Sequence, residues 1–536
     1  MRYILVLVTF TLILSNTQTA ESAQPAASLF VLSDKCLACH NGLITSAGQD
    51  VSIGSNWQSS MMAHAAKDPY WQASVRRESL DHPQVKKHIE DECSACHMPM
   101  SRYTAKTRGS LGEVFAHLPL LQAGGQTSLL AKDGVSCSMC HQIQADHLGS
   151  EASFTAGFVV NTTGAPGKRP AFGPYTVDEG RTRVMRSATQ LVPNKSEHVQ
   201  DSSLCGSCHT LYTQARGPDG EITGELPEQV PYLEWRHSAF YQSRSCQSCH
   251  MPQLDHPMNI SAVLGQPRQN FSRHVFRGGN FLMPRIFNAN RAELGVTVPS
   301  QDLILAAQET LKNLTDDAAG VEIHEVERTE EGLVIRVRIT NMAGHKLPTA
   351  YPSRRTWLHL EVTDADGEAI FSSGLPNKDG SIQGNDNDRD PGTFEPHYTT
   401  IYSADQVQIY EPILVDAQGN VTTGLLSAVG YIKDNRILPM GFDKDTAEKD
   451  IAVYGRARND ADFVGGEDLI DYRIQENGIN GPYTITAELY YQPIGFRWAR
   501  NLRQQQAAEI ERFVSYYDAF SEHSAIVMTS DRIQTP

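Results

Sequence analysis

Outside five short clusters this chain of 536 residues contains no cysteine, and the clusters use all 10, so none is left over. Surplus positive charge is missing too. There are 46 Lys and Arg against 62 Asp and Glu, a net charge of -16, which argues against a nucleic-acid partner. Beyond the first residues no stretch approaches 18 consecutive apolar side chains, so the mature chain is expected to lack a transmembrane segment. Histidine is sparse, 19 residues in all, and its placement is therefore informative.

What is present is one five-residue word used five times. It reads Cys36-Leu-Ala-Cys39-His40, Cys93-Ser-Ala-Cys96-His97, Cys137-Ser-Met-Cys140-His141, Cys205-Gly-Ser-Cys208-His209 and Cys246-Gln-Ser-Cys249-His250. Residues i and i+3 of a helical turn point to the same side, so the two thiols can reach both vinyl groups of one porphyrin. The histidine that follows turns under the ring as the proximal iron ligand. Paired cysteines also form disulfides and zinc sites, but neither requires a histidine after every second cysteine. The expectation is five covalent c-type haems. The unequal intervals between motifs exclude a solenoid repeat.

Arg2 followed by an apolar run from Tyr3 to Leu14, then small residues around Ala20 and Ala23, reads as an export signal over residues 1–23. An uncleaved anchor is the alternative. Export places the mature protein in the periplasm or outside the cell. The acidic charge would suit redox partner proteins with a basic docking face, or simply solubility.

The motifs end at His250, too little chain to wrap five haems separately, so the porphyrins themselves are expected to fill a mainly helical core. A helix is predicted over residues 57–78, bent or divided at Pro69. A second, over residues 300–314, links to a different pattern. Leu333–Ile339, Trp357–Val362, Val407–Tyr410 and Tyr483–Leu489 alternate apolar and polar residues, as strands of a β-sandwich do. The expected fold class is α+β multidomain. Its parts are a haem region with linker helix over residues 24–320, a β-sandwich-like domain over 321–495 and a C-terminal helical segment over 496–536.

The sixth position of each iron separates a wire from a reactive centre, since two axial histidines leave no place for substrate. His64, His117, His198, His237 and His274 are the candidate distal ligands. His64 shares a helical side with Trp57, His117 has apolar flanks, His198 shortly precedes Cys205, and His274 stands before Gly278 and Gly279. His237 sits on a face that reads equally as structural. His82 and His256 precede prolines and read as loop residues. Met61, Met62 and Met100 are thioether alternatives, though methionine more often packs a core.

The motif contexts Asp91-Glu-Cys-Ser-Ala-Cys-His-Met-Pro-Met100, Asp133-Gly-Val-Ser-Cys137 and Cys246-Gln-Ser-Cys-His-Met-Pro252 resemble bacterial multihaem c-type cytochromes. They are similar to those distantly related to the hydroxylamine oxidoreductase and cytochrome c nitrite reductase lineage. Asn341-Met-Ala-Gly-His-Lys-Leu-Pro-Thr349, Tyr351-Pro-Ser-Arg-Arg355 and Lys433-Asp-Asn-Arg436 resemble a β-domain that follows the haems in some members. The resemblance implies electron transfer. It does not carry over either enzyme's activity. Every motif here ends in histidine, where those nitrite reductases usually have a lysine in the catalytic haem motif, and no cross-linked tyrosine is identifiable.

His345, in the turn Gly344-His-Lys-Leu-Pro348, is a candidate additional ligand or proton donor. Lys346, Arg354 and Arg355 stand beside it, and the arginines would bind propionates or a small anionic substrate. The alternative is a hydrogen-bonded turn. Asp386, Asp388 and Asp390 form an alternating acidic loop that could take calcium, or be merely solvated. The leading function is periplasmic or extracellular electron transfer. The alternatives are an oxidoreductase acting on a small nitrogen or sulfur oxyanion at one open haem, and a subunit of an oligomeric extracellular cytochrome polymer.

Overall fold

The computed structural model describes residues 28–122, 124–475 and 481–535. The export signal read at residues 1–23 lies outside them. No helix among the described residues is long and apolar enough to cross a membrane.

Each motif lies on a turn of helix, as its spacing requires. Cys93–His97 closes the helix Lys86–His97, and the other motifs lie on or start in the short turns Asp34–Leu37, Cys137–Cys140, Ser202–Gly206 and Cys246–His250. Pro69 divides the predicted helix by starting its second part. Ile53–Gln58 ends early, and Asp68 caps Pro69–Asp81 by accepting the Tyr70 and Trp71 N–H groups at 2.8 and 3.3 Å. The motif region also holds strands that were not expected. Leu211–Arg216 pairs antiparallel with Ile222–Gln229, and Arg169–Gly173 parallel with Leu191–Lys195.

The helix Ser300–Asp317 leads into two sheets. One runs Thr400–Ile401, Glu467–Ile474, Gly332–Asn341, Ala319–Thr329; the other runs Ala369–Ser373, Arg355–Thr363, Tyr483–Gln492, Ile526–Thr535. Leu333, Ile335, Val337 and Ile339 alternate inward on the first and join Ile485, Ala487 and Leu489 of the second in one hydrophobic cluster. Burying each of the larger side chains contributes roughly 1.5–3 kcal/mol. The α+β class is therefore as expected. Two local readings change. Only Ile409–Tyr410 of the 407–410 segment is a strand, and the C-terminal segment is not wholly helical. After helices Phe496–Leu502 and Ala508–Phe520 the chain finishes as the strand Ile526–Thr535. Thr529, Ser530, Asp531 and Arg532 dilute its alternation, and pairing with Tyr483–Gln492 supplies the order its own pattern does not.

Two contacts hold the C-terminal helix against the motif region. Arg76 Nε and Nη2 both donate to the Glu509 carboxylate at 2.9 Å, and the Tyr70 and Phe513 rings lie 4.9 Å apart.

Candidate functional site

All five motifs contribute to one connected cavity of about 890 Å³. Its walls include Cys36, His40, Cys93, His97, Cys140, His141, Cys208 and His209, with Ser245 and Gln247 from the fifth motif's turn. None of the ten cysteines is joined in a disulfide. Burial pushes the Cys93 thiol up, and that of Cys140 up to about 12.

The motif histidines are oriented by backbone carbonyls. Nδ1 of His40 faces Ile260 O, that of His97 faces Ala65 O at 3.0 Å, that of His141 faces Phe172 O at 2.6 Å, and that of His250 faces Arg277 O. A carbonyl takes the Nδ1 proton and leaves Nε2 as the lone-pair nitrogen, the arrangement of a metal-ligating histidine. Burial lowers His97 and His250 to about 4, so these rings are neutral donors at neutral pH. Trp71 fixes the His97 ring further by stacking on it at 4.4 Å and 6°.

Two of these rings face a second imidazole. His141 and His274 lie 6.5 Å apart at 24°, and His250 and His345 lie 6.3 Å apart at 17°. An imidazole–metal–imidazole sandwich, with metal–nitrogen bonds of about 2 Å, puts its ring centres roughly 6 Å apart. Both distal rings also direct Nδ1 at a carbonyl, His274 at Ser272 O (3.1 Å) and His345 at Lys346 O (3.0 Å). Burial lowers His274 to about 3 and lowers His345 as well. The donor set therefore fits iron held between two imidazoles at these two places.

The remaining histidine candidates stand opposite no motif imidazole, and the rings of three of them are engaged elsewhere. His117 lies between the Ser101 and Ser128 hydroxyls at 3.2 and 3.0 Å. His198 spends both nitrogens on Ser196 Oγ and Ile143 O, and His237 bonds Asp443 O and packs on Phe442. His64 is buried against Phe287 at 4.8 Å, and both its ring nitrogens lack a hydrogen-bond partner.

A buried ionic network holds His345. Lys346 Nζ donates to Asp434 Oδ2 at 2.7 Å; Arg436 bridges Asp434 (2.8 Å) and Glu234 (2.9 Å). Glu234 Oε2 in turn accepts Lys346 N at 3.1 Å. Burial alone would raise Asp434, but Arg436 and Lys346 hold its carboxyl well below the usual range. Glu234 gave no sequence signal, although Lys346, Asp434 and Arg436 fall in motifs singled out there. The cationic cluster expected beside His345 does not form. Lys346 is paired, Arg355 is buried against Asp388 at 2.9 Å, and of these cations only Arg354 lines the cavity.

That pairing also closes the acidic loop, with Asp386 taken by Arg389. Among the described residues a single group, His397 with Asp460 and Asp468, brings three potential ligand atoms within 4.8 Å. It is hydrogen-bonded shut. His397 Nδ1 faces the amides of Gln408 (2.9 Å) and Asn435 (3.1 Å), whose oxygens accept Tyr398 N and Glu411 N. Amides pinned in this way donate to Nδ1, so the ring proton sits on Nε2, where a metal would bind, and points at Asp460 Oδ2, 2.9 Å away.

No family model matches the chain, and no curated protein matches its sequence. Its fold is similar to the crystal structure of a pentahaem cytochrome c552 from Thermochromatium tepidum. The two share 16% identity and a TM-score of 0.53 over 95% of this chain and 99% of that one. The chain thus has the fold of a multihaem cytochrome.

Proposed function

We propose that the chain is an exported pentahaem c-type cytochrome that passes electrons between redox partner proteins. Cysteine pairs 36/39, 93/96, 137/140, 205/208 and 246/249 would form the thioether bonds, and His40, His97, His141, His209 and His250 the proximal ligands. The observation that carries the reading is the pair of facing imidazoles, His141/His274 and His250/His345, at sandwich distance. Haem supplies reversible one-electron chemistry at iron, and axial ligand, burial and hydrogen bonding set each potential. The residues hold and orient. Carbonyls aim Nε2, apolar walls exclude water, and the network of Lys346, Asp434, Arg436 and Glu234 anchors the second-half ligand.

A second reading, an oxidoreductase reducing or oxidising a small nitrogen or sulfur oxyanion, is favoured by a different observation. Among the described residues His40, His97 and His209 face no second imidazole.

Haem-stained gels and intact mass of the exported protein should show five haems, and the spectra at least two low-spin bis-imidazole irons. Inter-motif disulfides with no haem, reversible by reductant, would end the reading. A high-spin iron that binds nitrite and turns it over would move the conclusion to the second.

A further inference from the structure

The fifth motif differs from the other four in facing outward. Each of the others gives its histidine and at least one cysteine to the cavity wall. The fifth gives Ser245, Gln247, Ser248 and Met251, but neither cysteine nor His250. Cys249 is the one exposed cysteine of the ten. A porphyrin edge bonded to it would border solvent rather than the other motifs.

The chain that leads into this motif builds a surface of distinct composition. From Trp235 to Leu254 there is no carboxylate, in a protein whose net charge is -16. Tyr241 is 45% exposed, and beside this segment Met440, whose carbonyl accepts Ala239 N at 2.7 Å, is 53% exposed. Arg236 and Arg244 are exposed as well. Among the described residues neither forms an ion pair; their guanidinium groups stand 5.9 Å from the Tyr232 and Phe240 rings. Aromatic residues, methionine and arginine are enriched at the centres of protein interfaces, where lysine and carboxylates are depleted. The flanking carboxylates are turned to their own segments. Asp201 accepts Ser203 N at 2.8 Å, and Asp443 accepts Thr446 Oγ1 at 2.7 Å and Asp445 N at 3.0 Å.

This surface is held in shape by its own contacts. Trp235 Nε1 donates to Arg244 O at 2.9 Å, and its ring meets Tyr241 edge-on at 5.2 Å. Arg244 N closes a turn on Phe240 O at 3.0 Å. Gly344 packs against Trp235 and Phe240, so the turn that carries His345 also supports this segment. Less ordering is then left for binding to impose.

We propose that residues 235–244 with Met440 are the docking surface for an acidic one-electron carrier protein, which exchanges electrons with the fifth-motif haem. This rests on the haem assignment above. One electron crosses as iron held by His250 goes from ferrous to ferric and the carrier's centre is reduced, or the reverse. No bond forms or breaks. The acidity of the whole chain suits a basic partner face, and this local surface has the opposite sign.

The probe is a reduced plant-type ferredoxin, an acidic carrier of low potential. Its second-order rate of reducing the ferric holoprotein is followed by stopped flow at low and high salt, with haem counted in every sample. Arg236→Glu with Arg244→Glu should slow the reaction roughly tenfold at low salt and converge with the unaltered protein once salt screens the charges. Tyr241→Ala should slow it at both salt concentrations. Arg183→Glu with Arg186→Glu makes the same charge change on the helix Glu179–Thr189, which packs beside the first motif, and should slow it far less. An equal or larger loss there, or a rate indifferent to salt, overturns the proposal. Hydrogen exchange of the two oxidised proteins together should show protection at residues 239–244. Protection that instead grows with the concentration of the holoprotein alone makes the occupant a second copy of this chain and also overturns it. Fewer than five haems overturns the haem assignment, whereas five haems without protection overturns the docking alone. Should the double variant fail to accumulate, the salt dependence and exchange of the unaltered protein decide.

Discussion

The imidazoles of His250 and His345 stand 6.3 Å apart and nearly parallel, one on the last cysteine motif and the other in a turn of the strand-rich second half. As axial ligands of one iron, the pair would make the second half part of the redox unit rather than an appendage. His345→Ala should convert one low-spin haem to high-spin and leave the haem count at five, and His274→Ala should do the same to a different haem. His117→Ala and His198→Ala should leave the spin state unchanged, since those rings are bonded to serines and a carbonyl. Electron paramagnetic resonance checks all four; an unchanged spectrum in His345→Ala removes that residue from the ligands.

The turn carrying His345 is fixed by charge. Lys346→Met removes the cation from Asp434 while leaving Arg436 in place. Breaking one arm of a fully buried ion pair costs about 3 kcal/mol or more. The denaturant midpoint should fall accordingly, and the haem paired through His345 should become partly high-spin. A stable Lys346→Met protein with unaltered spin state would show that backbone packing around Leu347 holds the turn by itself.

The haem motifs were legible because a covalent attachment site is a local pattern, complete within five residues. The strands of the second half were legible for a similar reason, Leu333 to Ile339 alternating without interruption. The facing imidazoles were not. His345 and His274 look no different in sequence from His117 or His198; what separates them is whether a serine or carbonyl elsewhere in the fold claims Nε2. The Ile526–Thr535 strand escaped because its charged residues mask the alternation that pairing enforces. The pairing of the acidic loop was not legible either, because Arg355, distant in sequence, neutralises Asp388.

His64 separates burial from ligation. Both its ring nitrogens are buried without partners, and burial lowers its pKa to about 3, so it is a neutral ring bearing an unmet polar cost. Unsatisfied buried polar groups cost about 1–3 kcal/mol. His64→Leu, packed against Phe287, should therefore raise stability by about 1 kcal/mol in urea denaturation while every haem band stays in place. Loss of a low-spin signal in this variant would instead make His64 an axial ligand.

Glu228 gives the cavity wall a pH dependence. Its carboxyl accepts Thr213 Oγ1 at 2.6 Å, and burial pushes its pKa up to about 7. The unfolded chain releases that proton near pH 4.3, so between there and pH 7 the folded protein holds a proton the unfolded one has lost. The stabilisation is complete below the unfolded value and is lost as pH rises through about 7. The difference between the two pKa values corresponds to about 4 kcal/mol. Glu228→Gln keeps the shape and removes the titration, so its stability relative to the unaltered protein should rise steadily from pH 4.5 to 7.5. Parallel curves over that range would mean that the carboxyl is already ionised in the fold, with a cation in the haem-packed core offsetting the burial of Glu228.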